Sequence, residues 1–478
     1  MSLPKPIGKQ KEVLDLPEKG HYIVLGTAGS GKTTLAIYRA AYLANLNTEK
    51  DEKVLLVTFN KSLVTYLNSI SDTKLSKVDV RNYHRFARGY LSSRGKLSFR
   101  NDIVPSMDYS RKNTKLMYIE EAKNAVIAEV GSNSTLLRLS EVYEEEINWI
   151  ERMGIKTLED YIGAERIGRS KTRITRDKRE YFFKVYEKYI EIRNENGYKY
   201  DWDDIASAVI EELNQDNTKR LYKHIIIDEG QDLSPTMLKS LVLAIPANGS
   251  LTFFGDVAQQ IYGSRISWRD AGINVSKENI WMFSQNYRNS KEIAKFALEI
   301  SELPYYKNKT DFVEPKFSTA SAPLPALAEF EDEEKEIQWV INYAKSLANT
   351  QTVAILVRDR QTVKNIKCRL NSQNLNYQEL NGDMSKWISI PGISIGTYHS
   401  AKGLEFDAVL LPYCNSKCLP SEEKIIALEG REEALSEEIK LIYVAVTRAK
   451  RALVLTYTGK ITELIPKDNS LYTMKKLI

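Results

Sequence analysis

Cysteine is nearly absent: the 478 residues hold three, Cys368, Cys414 and Cys418. Three cannot build a disulfide framework, and Cys414 with Cys418 is a lone pair whose nearest third thiol lies far upstream, so a zinc or iron–sulfur site is not expected. Buried thiols are. Glycine (23) and proline (14) are too scarce for a collagen-like or proline-rich chain. No stretch approaches the roughly 20 apolar residues of a membrane span, and Met1 to Lys11 is polar, without an apolar leader segment. These absences predict a cytosolic protein with no membrane partner. Neither charge sign dominates: 68 Lys and Arg against 63 Asp and Glu leave +5, which accommodates a polyanionic partner without requiring one.

What is present, 42% apolar and 27% charged residues over a length suited to two to four domains, describes a folded multidomain chain. The run His21 to Leu25 enters Gly26-Thr27-Ala28-Gly29-Ser30-Gly31-Lys32-Thr33, followed by an Ala/Leu-rich helical stretch to about Leu46. That is strand, glycine loop, helix. Further apolar runs, Val54 to Thr58, Ile225 to Ile227 ending in Asp228-Glu229, and Leu251 to Phe254 ending in Gly255-Asp256, predict a parallel sheet covered on both faces. Between Gly89 and Tyr200 the text is helical and basic, and the run Arg166 to Arg179 reads as a nucleic-acid patch or as a solvated face. Ser301 to Ala326 carries four prolines and reads as a connector. A helix then opens on Glu331-Asp332-Glu333-Glu334, with strands at Val353 to Val357, Ile393 to Thr397, Ala408 to Leu411 and Leu453 to Tyr457. The expected boundaries are 1–88 with 200–280, a helical insertion over 89–199, and a second α/β unit over 281–478.

Gly26 to Thr33 fits the phosphate-cradling pattern in which backbone N–H groups wrap phosphates at a helix N-terminus. Gly29 and Gly31 give the loop its path, Lys32 reaches the β and γ phosphates, and Thr33 binds Mg²⁺. Such a loop needs a carboxylate on a neighbouring strand. Asp228 is placed to position Mg²⁺, and Glu229 to orient or deprotonate the attacking water.

The ordered set resembles a Rep/UvrD-like superfamily 1 helicase along nearly the whole chain. The resemblance implies two RecA-like α/β P-loop domains, the first carrying a helical insertion, with ATP between them. It makes Gln10 the adenine-reading glutamine. Thr58-Phe59-Asn60-Lys61 and Arg81-Asn82-Tyr83-His84-Arg85-Phe86 resemble DNA-contact motifs, offering Phe59, Asn60 and His84. In Gly255-Asp256-Val257-Ala258-Gln259-Gln260-Ile261-Tyr262, Gln259 stands where the family senses the γ-phosphate, and Tyr262 and Trp268 are candidate base stackers. Gln285-Asn286-Tyr287-Arg288 would stack Tyr287 on adenine and set Arg288 on the γ-phosphate. Thr397 to Phe406 would bring Glu405 to the ribose and His399 to DNA, and Tyr443 to Ala449 would make Arg448 an arginine finger.

Two departures stand out. Thr34 occupies a nucleotide-facing position where the family often has arginine, and only 38 residues separate Val357 from Gly396, where larger relatives insert a further domain. The implied activity is an ATP- and Mg²⁺-dependent helicase or translocase moving 3′-to-5′ on single-stranded and forked DNA, in repair, replication or defence. A second reading is a DNA-stimulated ATPase subunit that regulates a partner nuclease. The last motif ends near Lys450, and the 28 residues after it are too few for a nuclease domain.

Overall fold

The computed structural model describes residues 5–6, 8, 10–27, 29–46, 52–59, 64–65, 77–98, 102–107, 113–164, 174–256, 271–283, 289–305, 320–381 and 390–477. Two parallel sheets organise them. The first comprises β1 (Gly20–Gly26), β2 (Lys53–Thr58), β3 (Val78–Asn82), β4 (Tyr222–Ile227), β5 (Ser250–Gly255) and β6 (Ile280–Phe283), in the order β3-β2-β4-β5-β1-β6. Alternate side chains of its central strands feed two cores. Leu55, Val57, Ile225 and Ile227 face one, and Val24, Val54, Leu56 and Ile226 face the other beneath the helix Lys32–Leu46. β6 pairs with β1 from Ile23↔Ile280 to Gly26↔Phe283, so the first sheet runs past the boundary expected at 280.

The second sheet comprises β7 (Ala326–Phe330), β8 (Thr352–Val357), β9 (Tyr377–Leu380), β10 (Gly392–Thr397), β11 (Phe406–Leu411), β12 (Ala449–Thr458) and β13 (Thr473–Leu477), in the order β13-β7-β12-β11-β8-β10-β9. Leu356, Val409 and Leu411 pack against the helices Lys291–Glu302 and Arg431–Val446. Val353, Ile355 and Leu410 pack with Ile337, Val340 and Ile341 of the helix Glu333–Leu347. The thiols divide: Cys414 is buried and donates to the Leu411 carbonyl at 3.3 Å, whereas Cys368 is exposed, contrary to expectation, on the polar face of the helix Arg360–Ser372. Among the described residues no helix is long and apolar enough to cross a membrane.

Between β3 and β4 lie the helices Thr114–Val130, Ser140–Met153, Leu158–Gly163 and Arg179–Glu195, sharing a core of Ile119, Tyr143, Ile147, Ile150, Phe182 and Tyr189. Residues 166–173 of the basic run lie outside the described residues. Arg179, at its end, is buried and donates to the carbonyls of Tyr161, Ile162 and Ala164, closing the short helix before it. It is a structural cap, not part of a charged surface.

The insertion is pinned to the first domain by a buried charge cluster. Lys115 Nζ lies 2.6 Å from Glu151 and 2.7 Å from Asp201, Arg193 lies 2.5 Å from Asp204, and Arg152 lies 2.7 Å from Asp203. Oxygens of Glu151, Asp201 and Asp203 lie within 4.8 Å of one another, and the Lys115 ammonium sits among them where a metal would otherwise balance their charge. Removing one partner from such a cluster strands buried charge. Lys115→Ala should therefore lower the unfolding free energy by about 3–5 kcal/mol in urea titrations; a loss below about 1 kcal/mol would mean that the cluster is as good as solvated.

Candidate active site and nucleic-acid interface

The end of β1 can turn into the phosphate loop because glycines stand where a side chain would not fit. A Cβ on Gly26 would meet Ser30 Oγ at 2.5 Å and the Phe283 carbonyl at 3.0 Å, and Gly31 holds φ at +85°, where side chains are strained. Lys32 opens the following helix. Its Nζ donates to the Gly26 and Thr27 carbonyls at 2.7 and 2.8 Å and stands 3.8 Å from the Asp256 carboxylate at the end of β5. Gln10, in the helix Gln10–Leu14, is buried and donates Nε2 to the Ser30 carbonyl at 3.1 Å. Arg39, fully buried in the helix that follows the loop, donates to the carbonyls of Leu14 and Pro17 and ties that segment down. Thr33 and Thr34, both partly buried, follow Lys32 in the first turn.

β4 delivers Asp228 and Glu229. Asp228 N–H donates to the Val57 carbonyl at 2.9 Å, and Glu229 takes a left-handed backbone, φ 54° and ψ 39°, unusual for a side chain of its size. Both Asp228 carboxylate oxygens are shut off from solvent and accept no hydrogen bond of ordinary geometry, although the Thr33 hydroxyl approaches closely enough to favour the ionised form. Burial and the adjoining Glu229 charge push Asp228 up to about 7. A buried carboxylate with no hydrogen bond of ordinary geometry, beside a hydroxyl, is a hard-oxygen pair suited to Mg²⁺. Burial raises Glu229 too, but Lys402, Lys32, Arg448 and the Gln231 hydrogen bond outweigh it and hold that carboxyl below its ordinary value. Gln231 donates Nε2 to Glu229 at 2.6 Å and accepts from the Asp256 N–H at 2.9 Å, bracing the ends of β4 and β5 together.

The second domain enters the same cleft. Lys402, in the turn after β10, lies 2.5 Å from Asp232, both buried; burial and Glu229 push Asp232 up to about 6 against the pull of that ammonium. Arg448, 1% exposed, donates Nε to the Val444 carbonyl at 2.9 Å and Nη2 to the Thr447 hydroxyl at 3.1 Å, yet its charge acts on Glu229. Glu405 pairs with Lys450 at 3.4 Å. His399 is half-buried; desolvation, then Arg358, Lys402 and Lys424, depress its ring to about 3, so it is neutral at pH 7.

Beside the ends of β2 and β3, Phe59 and His84 lie with ring centroids 5.5 Å apart, and His84 meets Trp202 at 5.2 Å, edge to face. A ring nitrogen of His84 is 3.2 Å from the Trp202 carbonyl. All three rings are half-buried and form one aromatic face. Sequence reading missed Trp202, whose flanking Asp201, Asp203 and Asp204 look like a solvated acidic turn. It also missed Asp232 and Lys402 as a pair, because 170 positions separate them and no local pattern joins them. Asn60, Gln259, Tyr262, Trp268, Tyr287 and Arg288 lie outside the described residues.

Similarity to known proteins follows the same division. A probable DNA helicase of Mycoplasma pneumoniae is 25% identical over 468 residues, covering 92% of this chain and 80% of its own. A probable DNA helicase II homologue of Mycoplasma genitalium is 26% identical over 377 residues, and the ATP-dependent DNA helicase srs2 of Schizosaccharomyces pombe 24% over 402. The chain spans 51% and 43% of the lengths of these two. The UvrD-like helicase C-terminal domain matches in two pieces, residues 281–385 and 379–460. The UvrD/REP helicase N-terminal domain matches residues 8–287, more than half of the 478, and the chain belongs to the UvrD/REP helicase family.

Proposed function

We propose that the chain is an ATP- and Mg²⁺-dependent DNA helicase that moves 3′-to-5′ along a single strand. The observation that carries this reading is the convergence on one cleft of Lys32, Asp228 and Glu229 from the first domain with Lys402 and Arg448 from the second. Backbone N–H groups of the loop and Lys32 bind the phosphates, with Gln10 at the loop's edge reading the base. Asp228 and Thr33 would hold Mg²⁺, which would supply positive charge to the phosphates. Glu229, kept ionised by three cations, orients the attacking water and accepts its proton. Gln259, Arg288 and Arg448 act on the γ-phosphate, Tyr287 on the adenine and Glu405 on the ribose. Because part of this set arrives from the second domain, hydrolysis and cleft closure are coupled.

The aromatic face of Phe59, His84 and Trp202, with Asn60, Tyr262, Trp268 and His399, holds the strand by stacking and neutral hydrogen bonds, without reading sequence. The second reading, an ATPase subunit that regulates a nuclease, draws on the short connection between β9 and β10, residues 381–391, which holds no extra domain against a duplex. Strand displacement by the isolated protein separates the two: a helicase unwinds a forked duplex alone, whereas a regulatory subunit hydrolyses ATP on DNA but needs its partner to act on the duplex.

Three outcomes test the cleft and the face. Lys32→Ala should abolish ATP binding and turnover, whereas Glu229→Gln should bind ATP normally and stop hydrolysis; normal turnover by Glu229→Gln would remove the water-activating role. Lys402→Met should lower DNA-stimulated kcat by roughly ten- to a hundredfold with little change in KM, since it relaxes Glu229 and strands Asp232. An unchanged kcat would mean that the cross-cleft pair is incidental. Trp202→Ala should weaken single-stranded DNA binding by about 1–3 kcal/mol, equally on all sequences, in a fluorescence titration; an effect confined to one sequence would contradict the stacking face.

A further inference from the structure

Asn289 begins the second domain, directly after Arg288 in the chain and one residue before Ser290, whose hydroxyl caps the helix Lys291–Glu302. It is 1% exposed. Its Nδ2 donates to the Thr447 carbonyl at 3.1 Å and to the Ala449 carbonyl at 2.5 Å, the two peptide oxygens on either side of Arg448. Ser290 N–H adds a third bond, to the Lys450 carbonyl at 3.0 Å. Segments about 160 positions apart are thereby stitched together around one arginine.

We propose that Asn289 is a positioning residue that sets the Arg448 guanidinium at the nucleotide cleft by gripping the main chain on both sides of it. The inference rests on the nucleotide-cleft reading above. Arg448 has little freedom of its own. Its Nε is held by Val444 and its Nη atoms by Leu404 and Thr447, all within the second domain, and its carbonyl accepts from the Phe406 N–H at 3.0 Å. The guanidinium therefore goes where its backbone goes. Only a carboxamide of this length brings two N–H groups to two carbonyls at once: serine has one donor on a shorter arm, and aspartate has none and would set its charge against both oxygens. A shift of about 1 Å in a phosphate-facing group can cost about 10²-fold in rate, so a buried residue that touches no nucleotide can control turnover.

Asn289→Asp keeps the shape and removes both donors; Asn289→Ala removes them without adding a charge and covers the case in which the aspartate prevents folding. With thermal unfolding confirming a folded chain, Asn289→Ala should lower the kcat of DNA-stimulated ATP hydrolysis by about tenfold or more, change KM for ATP and nucleotide-free DNA binding by less than about threefold, and add nothing in an Arg448→Ala background. If Arg448→Ala is defective while folded Asn289→Ala turns over normally, or if the two defects multiply, the positioning role falls and the cleft reading stands. If Arg448→Ala itself hydrolyses ATP at the full rate, the cleft reading falls and takes the inference with it.

Discussion

A lysine ammonium buried against a carboxylate from another domain is tolerable only while both stay where they are. Lys402 and Asp232, 2.5 Å apart and closed off from water, make such a pair. Each charge lost its hydration on entering the cleft, and their mutual attraction offsets that loss, while the nearby Glu229 charge favours the ammonium and opposes the Asp232 carboxylate. Opening the cleft returns both to water at modest cost, so the closed arrangement is conditional. The same ammonium is the leading cationic influence on Glu229, so the second domain favours the ionised form of the proposed water-activating group.

Parallel strands put these groups within reach of one another. In the first sheet β1, β2, β4 and β5 all run the same way, so the phosphate loop, Phe59, Asp228 and Asp256 emerge at one edge. In the second sheet β10 delivers the 397–405 turn, and the helix Arg431–Val446 delivers Arg448 as it turns into β12. The insertion reaches the same machinery from the side: the Thr236 hydroxyl, in the helix after Asp232, donates to the Arg152 carbonyl, while Arg152 holds Asp203 next to Trp202. A second strut joins the insertion to the second domain, where Arg138 lies 3.1 Å from Glu429 and Lys424 3.3 Å from Glu145. The proposed DNA face and nucleotide cleft are therefore linked through packed, charged contacts rather than by proximity alone.

The interior strands were legible in the sequence because burial on both faces forces a continuous apolar run, as in Val54-Leu55-Leu56-Val57 or Ile225-Ile226-Ile227. Three of the four edge strands, β3, β9 and β13, were not, since an edge tolerates Asp79, Arg81, Gln378, Glu379, Lys475 and Lys476 and breaks the run, and the fourth, β6, is apolar but only four residues long. β7 is too short to announce itself after a proline-rich connector. The phosphate loop was readable because its backbone path requires glycine at fixed spacing, and Asp228-Glu229 because such a loop needs a carboxylate at the end of a neighbouring strand. Lys402 with Asp232, Trp202 beside His84, and Asn289 around Arg448 were not, because each is a pairing made by the fold across distant parts of the chain.

The most direct measurement is of the cleft itself. Leu221, ahead of β4, and Met474, in β13, are exposed on different domains and can carry a fluorescent pair as cysteines in a chain with Cys368→Ser and Cys418→Ser. If phosphate-site chemistry is shared across the cleft, a non-hydrolysable ATP analogue bound with single-stranded DNA should shift the energy-transfer distribution to one narrow closed state, and ADP should release it. An identical distribution with analogue, with ADP and without nucleotide, in a protein that hydrolyses ATP on DNA, would contradict coupling between hydrolysis and domain closure.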